Sequence, residues 1–443
     1  MWRIPRFESN HYIGSDPVHS PDPHCDSYFA ETRNDAAEYP PLDGDTRTDV
    51  CVIGAGFTGL SAALLLAERG FSVTVLEQNR VGWGASGRCG GQMIGGVPGE
   101  DRLQAVAGPA LADSLFDLGY LGHDIIARWV QQYRIDCDLN YGYIDVATKP
   151  RHLEKQKFWY DRLCAHGSEK EVRLVPRGEL PELIGTDRYI GGMLNWRSGH
   201  LHPLNLCLGE ARAAVGQGVM IHEGSAVLAI EQGVRPEVHT SGGKVLADHV
   251  LLAGNAYHLL EQTTFSSLLF PASTFIVATE PLSEAEMSAI NPQNIAVCDQ
   301  SLVMDYFRLS ADRRLLFGGG CHYTGREPAD LRQAMRRRIR AVYPSLADKR
   351  LDYAWSGQMA IVVKRVPLLG RLAPNVFYSQ GYSGHGLSLS HACGDILCDA
   401  VQGNTARLEM FERVPPGRIP LGRKLGGYAL AAEMLYHRIR DRC

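Results

Sequence analysis

No stretch of the 443-residue sequence reaches the roughly 18 uninterrupted apolar residues that a membrane span needs. The opening Met1-Trp-Arg-Ile-Pro-Arg6 is not followed by an apolar core, which argues against a cleaved secretory signal. A basic excess is also missing: 45 Lys and Arg stand against 49 Asp and Glu, for a formal net charge of -4. Nucleic acid is therefore not an expected partner. The eleven cysteines include no C-x-x-C pair, and no histidine pair has zinc spacing. No metal site is expected, and the thiols read as reduced, mostly buried groups in a cytoplasmic chain. Internal repeats and low-complexity tracts are absent too. What remains is an ordinary globular composition, 45% hydrophobic and 21% charged, with enough chain for about two to three domains.

What is present begins with a complete dinucleotide-binding βαβ pattern. Val50 to Ile53 is an apolar run too short for a helix, as a central parallel strand requires. Gly54, Gly56 and Gly59 follow: the first for a tight turn, the second for close approach to a pyrophosphate, the third for helix-on-strand packing. From Leu60, apolar residues recur at Ala63, Leu64 and Ala67, and Gly70 stands where a left-handed cap belongs. Phe71 to Leu76 reads as the second strand. Glu77, 18 residues after Gly59, is placed to reach ribose hydroxyls.

Further along, residues 8–48 lack periodicity and read as an extended arm on the surface. A second glycine-rich stretch spans Gly82 to Gln92. Residues 110–133 and 151–165 look helical and are assigned to a different domain from the nucleotide fold. Leu204 to Gly216 reads as a helix, Gly218 to Ile230 as extended chain, and Val245 to Ala253 as a buried strand returning to the first sheet. Phe270 to Thr279, Tyr306 to Leu309 and Arg314 to Gly318 suit an antiparallel sheet roofing a cavity. Leu331 to Tyr343 is a basic helix whose arginines read as a solvated face. Val376 to Ser379, the turn Gly381 to Gly386 and a helix from Leu387 to Val401 complete the pattern. The amphipathic stretch Tyr428 to Arg438 reads as a docking helix.

Three of these motifs carry a resemblance: Val52-Ile-Gly54-x-Gly56-x-x-Gly59, Gly84-Ala-Ser86-Gly87-Arg88-x-Gly90-Gly91-Gln92 and Gly381-Tyr-Ser-Gly384-His385-Gly386. Together with Gly199-His200-Leu-His202-Pro203, Ala253-Gly254-Asn255 and Asp305-Tyr306-Phe-Arg308, they resemble the FAD-dependent amine and amino-acid oxidases. Within that family the chain is most similar to the γ-glutamylputrescine oxidases of bacterial polyamine breakdown. The resemblance covers nearly everything past about residue 25. It implies an α/β fold: a Rossmann-like FAD-binding domain (47–98, 190–262 and 350–412) with a discontinuous antiparallel-sheet substrate domain (99–189 and 263–349). Residues 1–46 are then the arm, and 413–443 an extension with a helix.

The cofactor implied is FAD, bound non-covalently. Its pyrophosphate and ribose belong to Gly54, Gly56, Phe57, Thr58 and Gly59 with Glu77 and Gln78. The ribityl chain and ring belong to Gly84, Ala85, Ser86 and Arg88, then Cys89, Gly90, Gly91 and Gln92. The flavin pyrimidine belongs to Gly381, Ser383 and Gly384, then His385, Gly386 and Leu387. Val227, Gly254 and Gly357 complete the set that the resemblance implies. Three separate backbone loops also favour an extended ligand over a nicotinamide cofactor. The helix beginning at Leu387 would aim its positive end at the ring edge that gains charge on reduction.

Oxidation of an amine by hydride transfer to flavin N5 needs a neutral amine, so position and desolvation outweigh a strong base. Trp196, Tyr306, Phe307 and Trp355 are candidate walls, although aromatics in β-rich segments are more often plain core. Arg308 lies where amino-acid-oxidising relatives place a carboxylate clamp, although an interdomain salt bridge fits its type as well. His200 and His202, two apart in an extended segment, would point the same way, and each also suits a structural role. His385, in a flavin loop, is the favoured histidine. Ser388 stands where sarcosine oxidases carry lysine, which disfavours a sarcosine-like substrate. Cys89 replaces the asparagine of the γ-glutamylamine relatives and is expected to be inert.

The expected reaction converts a γ-glutamylated polyamine to an imine, which water hydrolyses to an aldehyde and ammonia, while oxygen or another acceptor takes the electrons and oxygen gives hydrogen peroxide. Two alternatives stand beside it. One is an amino-acid or N-methylamino-acid oxidase or dehydrogenase, the other a non-catalytic flavin-binding subunit of an electron-transfer assembly.

Overall fold

Strand β1 (Thr46–Ile53) splits its side chains between two apolar layers, Val50 and Val52 entering one cluster and Cys51 and Ile53 the other. A strand covered on both faces is central, and its neighbours are parallel. The computed structural model describes residues 21–107, 112–257, 267–301, 303–322 and 327–418. In it β1 pairs in parallel with β2 (Val73–Leu76) and β10 (Lys244–Leu252). The sheet extends from β2 to β7 (Met220–His222) and from β10 to β17 (Val376–Gln380), again in parallel. β16 (Leu368–Ala373) closes that edge antiparallel, and a ribbon of β8 (Ala229–Glu231) and β9 (Glu237–His239) hangs on β10.

Helix α2 (Phe57–Glu68) starts at Gly56 and ends before Gly70, whose φ of 88° is the left-handed value expected there. Any Cβ on Gly59 would run into the Gly54 carbonyl, so the glycine lets helix and strand touch. α2 packs with α7 (Pro203–Gly216) and α10 (Gly386–Val401). α4 (Ala112–Gln132) lies along α10 and puts Leu115, Leu118, Ile126 and Trp129 into the same core. Its assignment to the substrate part is thus corrected: the apolar face of α4 covers the nucleotide fold. α3 (Glu100–Ala107) packs against α4 and α11 (Ala406–Glu412).

The second sheet runs β15 (Leu351–Val362), β11 (Leu269–Thr279), β14 (Leu315–His322), β13 (Asp305–Leu309), β12 (Ala296–Asp299), β4 (Asn140–Ala147), β6 (Gly191–His200) and β3 (Gln92–Met93), with β5 (Val172–Pro176) also on β6. All its pairings are antiparallel except β12 with β4. β6 and β15 were expected in the nucleotide-binding part and lie here instead, because their register partners are β4 and β11. One face, with Ile144, Val146, Phe307 and Phe317, packs on α6 (Leu180–Ile184), α8 (Glu284–Ile290) and α9 (Leu331–Val342). α5 (Pro150–Ala165) flanks β4, β5 and β6.

The arm departs from expectation. Ser27 caps a short helix α1 (Tyr28–Glu31), and Tyr28 and Phe29 are buried at the seam of the two sheets, against His202, Tyr353 and Trp355. Burial of two large aromatic groups outweighs the polar composition around them. Residues 8–20 and the helix expected over Tyr428–Arg438 lie outside the described residues. Among the described residues no helix is long and apolar enough to cross a membrane.

Candidate active site

A cavity of about 930 Å³ opens between the two sheets, near the upper end for small-molecule sites. The three glycine-rich loops meet on it. At the first, Gly54 turns with φ 105°, and Gly56 is extended; a Cβ there would come within 2.9 Å of Ser86 Oγ. The Phe57 amide donates to that same Ser86 Oγ at 3.0 Å, tying loop one to loop two. Glu77 accepts the Ala55 amide at 2.8 Å and the Asn79 amide at 2.9 Å, so its carboxylate stands at the end of β2 facing the cavity. Burial raises its pKa above the ordinary carboxylate range.

Loop two is pinned from the second sheet. Trp355 Nε1 donates to the Arg88 carbonyl at 2.9 Å, and Arg88 Nε donates to the Gly84 carbonyl at 3.1 Å. Gly90 lies under the Tyr306 ring, where a Cβ would sit 2.7 Å from a ring carbon. In loop three, Gly381, Ser383 and Gly384 all have positive φ, and the Gly381 amide donates to Asn255 Oδ1. The Tyr382 hydroxyl lies 2.6 Å from Thr58 Oγ1 and 2.7 Å from Ser379 Oγ, which bridges loops one and three.

These residues fit FAD. Neither Gly56 nor His385, the N-caps of α2 and α10, supplies a side-chain bond to its helix, so two helix N-termini present amides toward an anionic or electron-rich ligand. His385 Nδ1 is buried with no partner among the described residues. Burial, then Lys155 and Arg365, lower the His385 pKa to about 4, so the imidazole is neutral at pH 7.

Of the expected cofactor residues, all but two line the cavity. Gly59 and Gly381 act behind it, the first in packing, the second through its turn. Val227, Gly254 and Gly357 are on the wall, as are Tyr306 and His385.

Three catalytic expectations are corrected. Arg308 does not line the cavity; it is buried beneath loop two and donates to the carbonyls of Gly90 (2.9 Å), Leu201 (2.7 Å) and Leu309 (3.1 Å). Three of its N–H groups are spent on backbone, and burial keeps the fork away from a substrate carboxylate in the cavity. His200 Nε2 donates to the Asn294 carbonyl at 2.8 Å, so Nδ1, 3.4 Å from Arg308, is the acceptor side of a neutral ring. His202 caps α7: Nδ1 accepts the Asn205 amide, which leaves Nε2–H for Thr32 Oγ1 at 3.1 Å. Burial, then Arg308, lower both histidines to about 3. Of the four candidate walls only Tyr306 is one; Trp196 is 40% exposed elsewhere, Phe307 packs on the far face of the sheet, and Trp355 lies in the seam.

Sequence reasoning missed the rest of the wall. Cross-strand register sets Met193, Asp145, Cys298 and Tyr306 in one row on the cavity face of the second sheet. Tyr143 and Asn195, two residues along their strands, join that face. α5 adds Lys155, Phe158 and Trp159 at the rim. Alternation along Tyr143-x-Asp145 was the available signal.

Comparison with known proteins agrees with this geometry. The family model described as FAD dependent oxidoreductase matches residues 49–400. The chain is 37% identical over 424 residues to the γ-glutamylputrescine oxidoreductase of Escherichia coli K12, covering 95% of this chain and 99% of that protein. It is 37% identical to a probable oxidoreductase OrdL of Haemophilus influenzae, over 95% of this chain and 98% of that one. Among solved structures, glycine oxidase from Geobacillus kaustophilus superposes with a TM-score of 0.67 at 22% identity, over 81% of this chain and 95% of that one. L-proline dehydrogenase from P. horikoshii gives 0.69 at 19% identity, over 84% and 99%. With the βαβ unit, the converging loops and a matched span from the first strand to the end of α10, the chain belongs to the FAD dependent oxidoreductase family.

Proposed function

We propose that this enzyme oxidises the primary amine end of a γ-glutamylated polyamine to an aldehyde, with release of ammonia. The carrying observation is a single cavity that joins the three glycine-rich loops to an aromatic roof, in a chain matched almost end to end by the E. coli γ-glutamylputrescine oxidoreductase. Bound non-covalently along those loops, FAD would supply the hydride acceptor, and its reoxidation by oxygen would give hydrogen peroxide. The protein's part is positional. Tyr306 and Met359 wall the cavity beside the glycine-rich loops and disfavour an ammonium ion there, so the amine meets the hydride acceptor in its neutral form. His385, neutral and with an unpartnered nitrogen, orients polar atoms beside loop three without adding charge. Cys89 supports non-covalent binding, because burial raises its thiol pKa and leaves no reactive thiolate. Apart from Cys321, the described cysteines form no disulfide, which fits a reducing cytoplasm.

The amino-acid oxidase alternative loses its support with Arg308, which is committed to three carbonyls. Anaerobic mixing with putrescine, γ-glutamylputrescine, glycine and proline tests the reading. Bleaching of the flavin by γ-glutamylputrescine is expected. Bleaching by the amino acids alone would replace the reading with the oxidase alternative, and no bleaching by any of them would favour the non-catalytic subunit.

A further inference from the structure

Removing Arg308 from the cavity leaves the charged end of a γ-glutamyl amine without a receptor, and two other residues fit that task. Asp145 lies on the cavity wall, with Oδ1 accepting the Tyr143 hydroxyl at 2.9 Å. Among the described residues it forms no ion pair and Oδ2 no hydrogen bond. Lys155, on α5, lines the same cavity and likewise has no carboxylate partner among the described residues. The two lie close: Gln156, next to Lys155, donates from Nε2 to the backbone carbonyl of Asp145 at 2.9 Å. A carboxylate and an ammonium that face one cavity without forming an ion pair match a ligand end carrying both charges.

We propose that Asp145 and Lys155 hold the amino-acid head of the substrate, Asp145 taking the α-ammonium and Lys155 the α-carboxylate. The assignment rests on the γ-glutamyl amine reading above and adds where the glutamyl end sits. Distance supports it. Asp145 pairs across β12 with Cys298, and Cys298 with Tyr306, so Asp145 is two strand spacings, about 10 Å, from the ring that covers Gly90. In γ-glutamylputrescine eight bonds separate the reacting carbon from the glutamyl α-carbon, also about 10 Å when extended. Among the other charges on the wall, Arg162 pairs with Glu100, Asp299 accepts the Ser301 amide, and Arg365 acts on His385 of loop three. Burial raises Asp145 to about 6, in keeping with a carboxylate whose cation arrives with the ligand.

The test compares wild type with Asp145→Asn and Lys155→Met on γ-glutamylputrescine and on N-acetylputrescine, which keeps the amide and loses the amino-acid head. Each variant should raise KM for γ-glutamylputrescine by about tenfold or more while kcat stays within about twofold, and N-acetylputrescine should be unaffected. Calorimetric titration with γ-glutamylbutylamine, which lacks the oxidisable amine, should show the same weakening without turnover. An unchanged KM and binding constant in both variants, or an equal rise for both substrates, would overturn the assignment while the amine-oxidase reading stood. Failure of wild type to oxidise any amine would instead remove that reading, and the head-group assignment with it.

Discussion

Arg308 Nε donates to the carbonyl of Gly90 across 2.9 Å, so a side chain of the second sheet holds the backbone of loop two. The same guanidinium reaches Leu201 and Leu309 and lies over the Phe29 ring at 5.8 Å. It couples loop, arm and sheet.

Replacement Arg308→Leu should therefore act on stability before it acts on substrate. Two buried carbonyls, Leu201 and Leu309, and the half-buried one of Gly90 lose their donor, at about 1–3 kcal/mol for each buried one left unpaired. Thermal unfolding should show a marked drop in Tm with loss of bound flavin, and Arg308→Lys should recover only part of it. An unchanged Tm with a raised KM would return Arg308 to the role of substrate clamp.

Gly90→Ala tests the contact with Tyr306. The new methyl meets the ring at 2.7 Å, so either the ring or the loop must shift. Flavin affinity should fall, and the double variant Gly90→Ala with Tyr306→Leu should recover flavin better than the single one. Equal flavin content in wild type and Gly90→Ala would show that the loop tolerates the methyl.

Denaturation addresses the cofactor bond. Because the Cys89 thiol is held protonated by burial, heat or acid should release all flavin into a small-molecule filtrate. Yellow protein remaining after denaturation in wild type, and lost in Cys89→Ser, would contradict this.

His202 gives a pH prediction. Its pKa is about 3 when folded and near 6.5 when unfolded, so the unfolded chain binds the proton first as pH falls. Its contribution is full above pH 6.5 and is lost progressively down to about pH 3. His202→Asn keeps an N-cap for the Asn205 amide and removes the titrating ring. Denaturant unfolding between pH 4 and 6 should then show a pH slope shallower by about 1.4 kcal/mol per unit. An identical slope would rule His202 out as a contributor.

The parts legible in the sequence are those whose signal is local. Gly54 to Gly59, the cap at Gly70 and the turn Gly381 to Gly386 each sit within one strand-loop-helix unit, where backbone conformation restricts the residue type. Arg308 was misread because it shares a strand face with Tyr306, which meets the cavity, yet lies one step further along β13, where Gly90 and Leu201 cover it. Asp145 and Lys155 carry no local mark; register and the docking of α5 bring them to the wall. α4 has an apolar stripe that fixes helix and burial but not which sheet it covers. The arm hid its anchor in two adjacent aromatics, Tyr28 and Phe29, after a capping Ser27.

That anchor has a consequence for how the chain is made. Tyr28 and Phe29 leave the ribosome more than three hundred residues before Tyr353 and Trp355, the rings they pack against at 5.9 and 5.5 Å. The nascent aromatic pair must wait over that length of synthesis before its socket exists. Docking of α1 is thus a late folding event, one that closes the seam between the two sheets only after both strands of its socket have been made.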